Sequence, residues 1–177
     1  VGLTDGDYFG TANYTGTVGN YTDGTQGYQM GDVDGMATLT LDDVTADSMT
    51  FDLYVQGGSS NSYENSDHLI IRFVGSTSTV ELVNATGATG GGNNGGFATY
   101  MGVWTSFSSN ISSLGQGNLE FEFTSNSQSE SVYVDNVVFS SSSSGNGTTT
   151  TLVEDDDDDN DGYLDVNDAF PLDASEW

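Results

Sequence analysis

Positive charge is nearly absent from this sequence of 177 residues. A single Lys or Arg side chain, Arg72, stands against 27 Asp and Glu, and the formal net charge is −26. Binding to nucleic acid or to anionic lipid requires several Lys or Arg side chains against phosphate groups. The composition therefore excludes nucleic acid and anionic membranes as partners.

Cysteine is also absent, so no disulfide can brace the fold. No apolar run approaches the about 20 residues that a spanning helix needs, and we expect no membrane insertion. One His, no Cys and no nucleophile-elbow motif leave few ways to pair a nucleophile with a base. Glu120 and Glu122 would lie on one face of one strand, whereas the acids of a glycosidase flank the sugar. We predict that the chain is not an enzyme.

What the sequence does contain is alternation of apolar and polar residues with a period of two, the pattern of half-buried strands. Six segments show it: MATLTL, MTFDLYV, HLIIRFV, TVELV (with Val80 and Leu82 inward), LEFEF and SVYVDNVVF, the last with an irregularity at Asp135–Asn136. Weaker strands are predicted near Tyr8–Phe9, Tyr28–Met30 and Phe97–Phe107. Eight or nine short strands predict an all-β sandwich of two sheets, a jelly roll, over residues 1–139.

The amino-acid composition changes after residue 139. SSSSSGNGTTTT begins at Ser140 and contains no apolar residue, so residues 140–153 are predicted to be a Ser/Thr-rich linker. Residues 154–177 carry 11 of the 27 acids. Such a block of like charge is either a disordered acidic tail or a segment that a cation holds together.

The spacing of these acids favours a cation. In DDDNDGYLDVND, counted from Asp157, oxygen ligands fall at the positions of a calcium-binding loop, and Gly162 permits its sharp turn. The predicted ligands are Asp157, Asp159, Asp161, the Tyr163 carbonyl, Asp165 and Asp168. The loop closes on Asp rather than on the Glu of an EF-hand, and no helical pattern flanks it, so we do not interpret it as an EF-hand.

This pattern, together with the AFPLDASEW that follows, resembles the thrombospondin type 3 repeat and its bacterial secreted relatives. The resemblance covers residues 154–177 and implies Ca²⁺ binding and a stiff spacer. Extracellular modules bind calcium at about 10⁻⁴–10⁻³ M, and cytosolic calcium is too scarce for a weak loop made of aspartates. We therefore expect a secreted or cell-surface protein.

The segment NLEFEFTSNSQSESVYVDNVVF resembles the closing hairpin of bacterial galactose-binding-like and carbohydrate-binding jelly rolls, and DGDYFG resembles the start of such modules. The resemblance implies that Asp135 ligates a structural calcium ion together with Asp5 or Asp7. The alternative interpretation is that Asp135 caps a bulge.

Sugar binding on an exposed sheet face is a further hypothesis, because glycans stack on aromatic rings. Candidate stacking faces are Tyr54, Tyr63, Tyr100 and Trp104, with His68 and Arg72 as hydrogen-bonding partners; the alternative is that these aromatic residues fill the core. Candidate N-glycosylation sequons begin at Asn13, Asn20, Asn84, Asn110 and Asn146.

Two functions follow from these features. The first is a structural protomer of an extracellular, calcium-stabilised filament or adhesin stalk. In it the tail, ending in the apolar Trp177, docks on the jelly roll of the next copy, and such head-to-tail contacts propagate. The second is a carbohydrate-binding module of a larger secreted bacterial protein.

Overall fold

The computed structural model describes residues 7–13, 21–57, 63–89, 93–127 and 129–141. All of them lie in one unit, Val1–Ser142. The strands are β1 (Tyr8–Asn13), β2 (Gln26–Gly31), β3 (Gly35–Val44), β4 (Ser48–Val55), β5 (His68–Gly75), β6 (Thr79–Thr86), β7 (Trp104–Asn110), β8 (Gly117–Ser125) and β9 (Ser131–Ser140), with a short 3₁₀-helix at Gly95–Thr99. In this part of the chain, no helix is long and apolar enough to span a membrane.

The strands form two sheets. One has five strands in the order β1-β2-β9-β4-β7, the other has four in the order β3-β8-β5-β6, and every pair is antiparallel. Apart from β1–β2 and β5–β6, each strand is followed in the chain by a strand of the other sheet. This alternation is jelly-roll connectivity, with β1 added at one edge. The predicted all-β sandwich is confirmed.

The core lies between the sheets and is built by the predicted alternation. Phe51 of β4, Ile71 of β5 and Phe121 of β8 are all buried, and the rings of Phe51 and Phe121 meet edge to face at 5.2 Å. Removing each such side chain from water contributes roughly 1.5–3 kcal/mol to folding. The inward faces of both sheets therefore provide the main stabilisation of the sandwich.

Strand β6 departs from the predicted pattern. Ile71 pairs with Val83 and Arg72 pairs with Glu81, so Leu82 is an extra residue in a bulge. The predicted inward residues Val80 and Leu82 are partly buried and pack against the core, and the bulge shifts the alternation by one residue so that Val83 is buried as well. The alternation of apolar and polar residues cannot predict such an inserted residue, because nothing in the sequence TVELV indicates a bulge.

Two other irregularities bear on the outer surface. The predicted irregularity in β9 is confirmed: the register against β4 shifts, and Asn136 adopts a left-handed φ of 49°. The predicted strand Phe97–Phe107 is wrong in its first part, where the chain forms the 3₁₀-helix; only the region of β7 is extended.

Candidate functional site

The outward face of the five-stranded sheet carries an aromatic cluster, defined here as Tyr21, Tyr54, Tyr133 and Trp104. The strand register places Tyr54 between Tyr133 on β9 and Trp104 on β7, and Tyr21 packs against them from the segment before β2. Tyr54 lies 5.5 Å from Trp104 and 6.1 Å from Tyr133, and Tyr21 lies 5.9 Å from Trp104, between ring centroids. The three tyrosines are buried, whereas Trp104 is partly exposed.

A polar strip, defined as Asp52, Ser106 and Asn136, lies next to this cluster on the same face. The Ser106 hydroxyl donates to Oδ1 of Asp52 at 2.5 Å, and the Asn136 amide donates to Oδ2 at 3.2 Å. Burial raises the pKa of Asp52, but hydrogen bonds from Ser106, Thr22 and Asn136 outweigh it and leave the pKa below the ordinary 3.8. The carboxylate is therefore an ionised acceptor in a fixed orientation, with exposed Ser106 and Asn136 beside it.

Asp135 fixes the segment that covers this face. Its Oδ2 accepts hydrogen bonds from the backbone N–H of Thr22 at 2.7 Å, from the Thr22 hydroxyl at 3.0 Å and from the N–H of Asp23 at 2.8 Å. Asp135 therefore caps the backbone at residues 22–23, a contact that differs from the predicted capping of a bulge. The proposed calcium role with Asp5 or Asp7 stays a prediction, because Asp5 lies outside the described residues.

The outward face of the four-stranded sheet is different. The Arg72 guanidinium donates from Nε to Oε2 of Glu120 at 2.9 Å and from Nη2 to Oε1 of Glu122 at 2.6 Å. His68 is exposed on the same strand, with Nδ1 3.2 Å from the hydroxyl oxygen of Thr86. Glu120 and Glu122, which were considered as a carboxylate pair, are thus both ion-paired with Arg72, the only Lys or Arg of the chain.

The structure does not bring the four predicted ligand-binding residues together. Tyr54 and Trp104 are neighbours on the five-stranded sheet, while His68 and Arg72 belong to the four-stranded sheet. The outward faces of two stacked sheets point away from each other, so only the aromatic pair remains as one candidate surface.

Two further candidate stacking residues pack in or against the core. Tyr63 is 1% exposed and stacks on Phe97 at 4.2 Å between ring centroids. Tyr100 is partly buried and packs against Phe107 beside the core. For these two residues, the interpretation that they fill the core is the one that the structure supports.

An acidic group, defined as Glu64, Asp67 and Glu130, lies elsewhere in the sandwich and was not predicted. Each offers a carboxylate oxygen within 4.8 Å of the others, and Asp67 and Glu130 are 0% and 1% exposed. Burial raises the pKa of Glu130 to about 7, and repulsion from Asp67 adds to this effect. Burial also raises the pKa of Asp67 to about 6, with Glu64 adding to it.

The sequence offered little sign of these missed residues. Glu64, Asp67 and Glu130 come from two distant segments, and only the fold brings them together. Tyr133 was detectable, because the alternation in β9 places it outward on a strand where a polar residue would be expected. Tyr21 lies outside any strand pattern and could not be placed.

Several predictions fall on residues outside the described ranges. The calcium loop and the assembly residue remain predictions: Asp157, Asp159, Asp161, Tyr163, Asp165, Asp168 and Trp177. The linker and tail boundaries within 140–177 also stay predictions. Of the sequons, Asn13, Asn84 and Asn110 are exposed, whereas Asn20 and Asn146 lie outside the described ranges.

Comparison with solved structures finds distant likenesses. One is the K2 cleaved adhesin domain of Lys-gingipain, with 15% identity and a TM-score of 0.47, covering 77% of this chain and 85% of that one. Another is a family 16 carbohydrate-binding module, with 13% identity and a TM-score of 0.38, covering 73% of this chain and 84% of that one.

A third is the enzymatically active domain of bacteriophage CBA120 tailspike protein 4, with 13% identity and a TM-score of 0.41. The match covers 77% of this chain but only 18% of the tailspike domain. No family model and no curated protein matches the chain. Both family resemblances of the sequence therefore stay predictions.

Proposed function

We propose that the chain is a carbohydrate-binding module and that the outward face of the five-stranded sheet contacts the sugar. The observation that carries the proposal is the aromatic cluster, whose partly exposed member, Trp104, is supported by Tyr21 and Tyr54. Outward positions of a sandwich are ordinarily polar. An aromatic group that the main core does not use is therefore a candidate for ligand contact.

The polar strip supplies the second requirement of such a site. Binding sites combine an apolar or aromatic surface with a few fixed polar groups that orient the ligand. The carboxylate of Asp52 is held by Ser106 and Asn136, and both of these side chains are exposed. Sugar hydroxyls donate and accept hydrogen bonds, so a carboxylate, a hydroxyl and an amide beside a tryptophan match their chemistry.

The charge of the chain restricts the class of sugar. With a formal net charge of −26 and only Arg72 as a basic side chain, the protein repels polyanions. Arg72 also lies on the other sheet and is paired with Glu120 and Glu122. The proposed ligands are therefore neutral glycans rather than uronate-rich or sulfated ones.

A matched pair of variants tests the proposal. Binding is measured by calorimetry against neutral and acidic soluble polysaccharides for the full chain, for Trp104→Ala and for His68→Ala. We expect Trp104→Ala to bind a neutral glycan at least about tenfold more weakly, which corresponds to about 1.4 kcal/mol. His68→Ala lies on the opposite face and should bind as the unmodified chain does.

A different result would assign the cluster another role. If it is only a satellite core that anchors residues 21–25, Trp104→Ala lowers stability and leaves any glycan affinity unchanged. Equal loss in both variants, or no binding to any neutral polysaccharide, would contradict the proposed site. Thermal unfolding of each variant establishes that a loss of binding is not a loss of fold.

A further inference from the structure

We propose that Glu64, Asp67 and Glu130 bind a calcium ion within the sandwich, at a site separate from the acidic tail. Glu64 and Asp67 lie between β4 and β5, and Glu130 lies in the turn between β8 and β9. An ion held by all three would tie these two connections together.

The positions of the carboxylates suit one hard cation. Their offered oxygens all lie within 4.8 Å of one another. Calcium binds oxygen ligands at 2.3–2.6 Å, so two oxygens on opposite sides of one ion are separated by about 4.6–5.2 Å. The three donors are all carboxylates, with no His or Cys among them, which favours calcium over transition metals.

Charge compensation requires an external cation at this place. Asp67 and Glu130 are almost completely buried, and burying a carboxylate without a partner is costly. The sequence contains no Lys, and its one Arg is ion-paired with Glu120 and Glu122 on the four-stranded sheet. A proton or a metal ion must therefore neutralise the acidic group.

An orphaned oxygen is available to a metal ion. Oδ1 of Asp67 is buried and has no hydrogen-bond partner among the described residues. A proton shared between Asp67 and Glu64 is the alternative, because a side-chain hydrogen bond between these two carboxyl groups contributes to the raised pKa of Asp67. The other oxygen, Oδ2, already accepts the N–H of Glu64 at 2.5 Å, so Oδ1 is the atom left to coordinate an ion.

Hydrogen bonds from the residues that follow β6 hold the backbone around two of the ligands, at residues 63–67. The N–H of Gly87 donates to the carbonyl of Asp67, and the N–H of Ala88 donates to the carbonyl of Tyr63, both at 3.0 Å. A Cβ at Gly87 would lie 1.9 Å from the Glu64 carbonyl oxygen, so only glycine permits this approach. The Tyr63 hydroxyl then donates to the carbonyl of Ser131 at 3.2 Å, next to Glu130.

The third ligand, Glu130, is held by two hydrogen bonds. Oε2 of Glu130 accepts the N–H of Asn126 at 3.1 Å, and the N–H of Glu130 donates to the carbonyl of Ser127 at 2.9 Å. Hydrogen bonds within the protein therefore hold the backbone next to both Asp67 and Glu130. Preorganisation of this kind reduces the entropy that an ion must overcome when it binds.

The test uses the full chain with the predicted tail loop disabled. In an Asp161→Ala background, calorimetry with calcium alone measures the ions that remain bound, and Asp67→Asn and Glu130→Gln are compared with it. We expect each variant to bind one calcium ion fewer per chain and to lose the calcium-dependent rise in Tm. Asp42→Asn, an exposed acid on β3, removes the same charge and should change neither quantity.

The outcomes separate metal from proton. If a proton neutralises the group, Asp67→Asn raises the Tm in chelator, and the calcium stoichiometry is the same in all chains; this result would overturn the proposal. Should the buried variants fail to fold, Glu64→Gln at the exposed member replaces them, and we expect about tenfold weaker calcium binding. Calcium uptake that Glu64→Gln leaves unchanged would also overturn it.

Discussion

The two outward faces of the sandwich arise from the same alternation of residues but are used differently. On the five-stranded sheet, three tyrosines and a tryptophan pack together, and Asp135 holds Thr22 and Asp23, next to Tyr21, by three hydrogen bonds. On the four-stranded sheet, outward residues form an ionic group of Arg72, Glu120 and Glu122, partly exposed to solvent. One face is a second packed layer, and the other is a solvated surface.

This difference shows that an outward position is not the same as an exposed position. Tyr54 and Ile70 both point away from the core, yet Tyr54 is 8% exposed because Tyr21 and Trp104 cover it. Part of this cover, Tyr21, comes from outside the strands. Sites for ligands are therefore expected where such a second layer leaves one aromatic residue partly open, as at Trp104.

The largest effect should come from removing a covered side chain. Tyr133→Ala on β9 should lower the free energy of unfolding by about 3 kcal/mol, because it leaves a cavity beneath Tyr21 and Tyr54. Ile70→Ala, an outward but half-buried residue on β5, should cost about 1 kcal/mol. Denaturant unfolding measures both, and equal losses would remove the distinction between the faces.

A smaller effect is expected at the loop anchor. Asp135→Ala removes the acceptor of three hydrogen bonds to Thr22 and Asp23 and should cost about 2 kcal/mol. Asp135→Asn keeps an acceptor oxygen and should cost less. If chelation of calcium lowers the stability of the unmodified chain by more than it lowers that of Asp135→Asn, the carboxylate has the metal-binding role instead.

The ionic group should contribute less still. Arg72→Ala should change the free energy of unfolding by less than about 1 kcal/mol, because the Arg72 side chain is 30% exposed and salt screens such pairs. A double-mutant cycle with Glu122→Ala at low and high salt measures the coupling. A coupling above 2 kcal/mol that salt does not reduce would contradict the interpretation of this face as a solvated surface.

The smallest effect is a pH dependence at the polar strip. The pKa of Asp52 is lowered by folding, so its contribution to stability is present above the ordinary 3.8 and is lost as pH falls through the folded value. The stability of Asp52→Asn should therefore fall less steeply than that of the unmodified chain as the pH drops below about 4. If the Tm of Asp52→Asn falls with pH as steeply as that of the unmodified chain, the strip does not hold this carboxylate ionised.

The fold could be predicted because its signal is local. Alternation in MTFDLYV, HLIIRFV and LEFEF identifies which residues face inward, and the hydrophobic effect then stacks the two sheets. The bulge at Leu82 and the 3₁₀-helix at Gly95–Thr99 were missed, since each depends on pairing with a distant strand or on packing around Phe97.

The candidate site could be predicted only in part. Tyr54 and Trp104 were identified as aromatic candidates, but their grouping with His68 and Arg72 required knowing which strand joins which sheet. Which sheet a strand joins depends on long-range pairing, which a single sequence does not encode locally.

The most direct test of sugar binding at this face is the fluorescence of Trp104. The chain has two tryptophans, so Trp177→Phe leaves Trp104 as the only one. A neutral polysaccharide that calorimetry shows to bind should shift the Trp104 emission and protect it from acrylamide quenching, and His68→Ala in the same background should behave identically. Binding that leaves the emission and quenching of Trp104 unchanged would contradict the account and place the site on another surface.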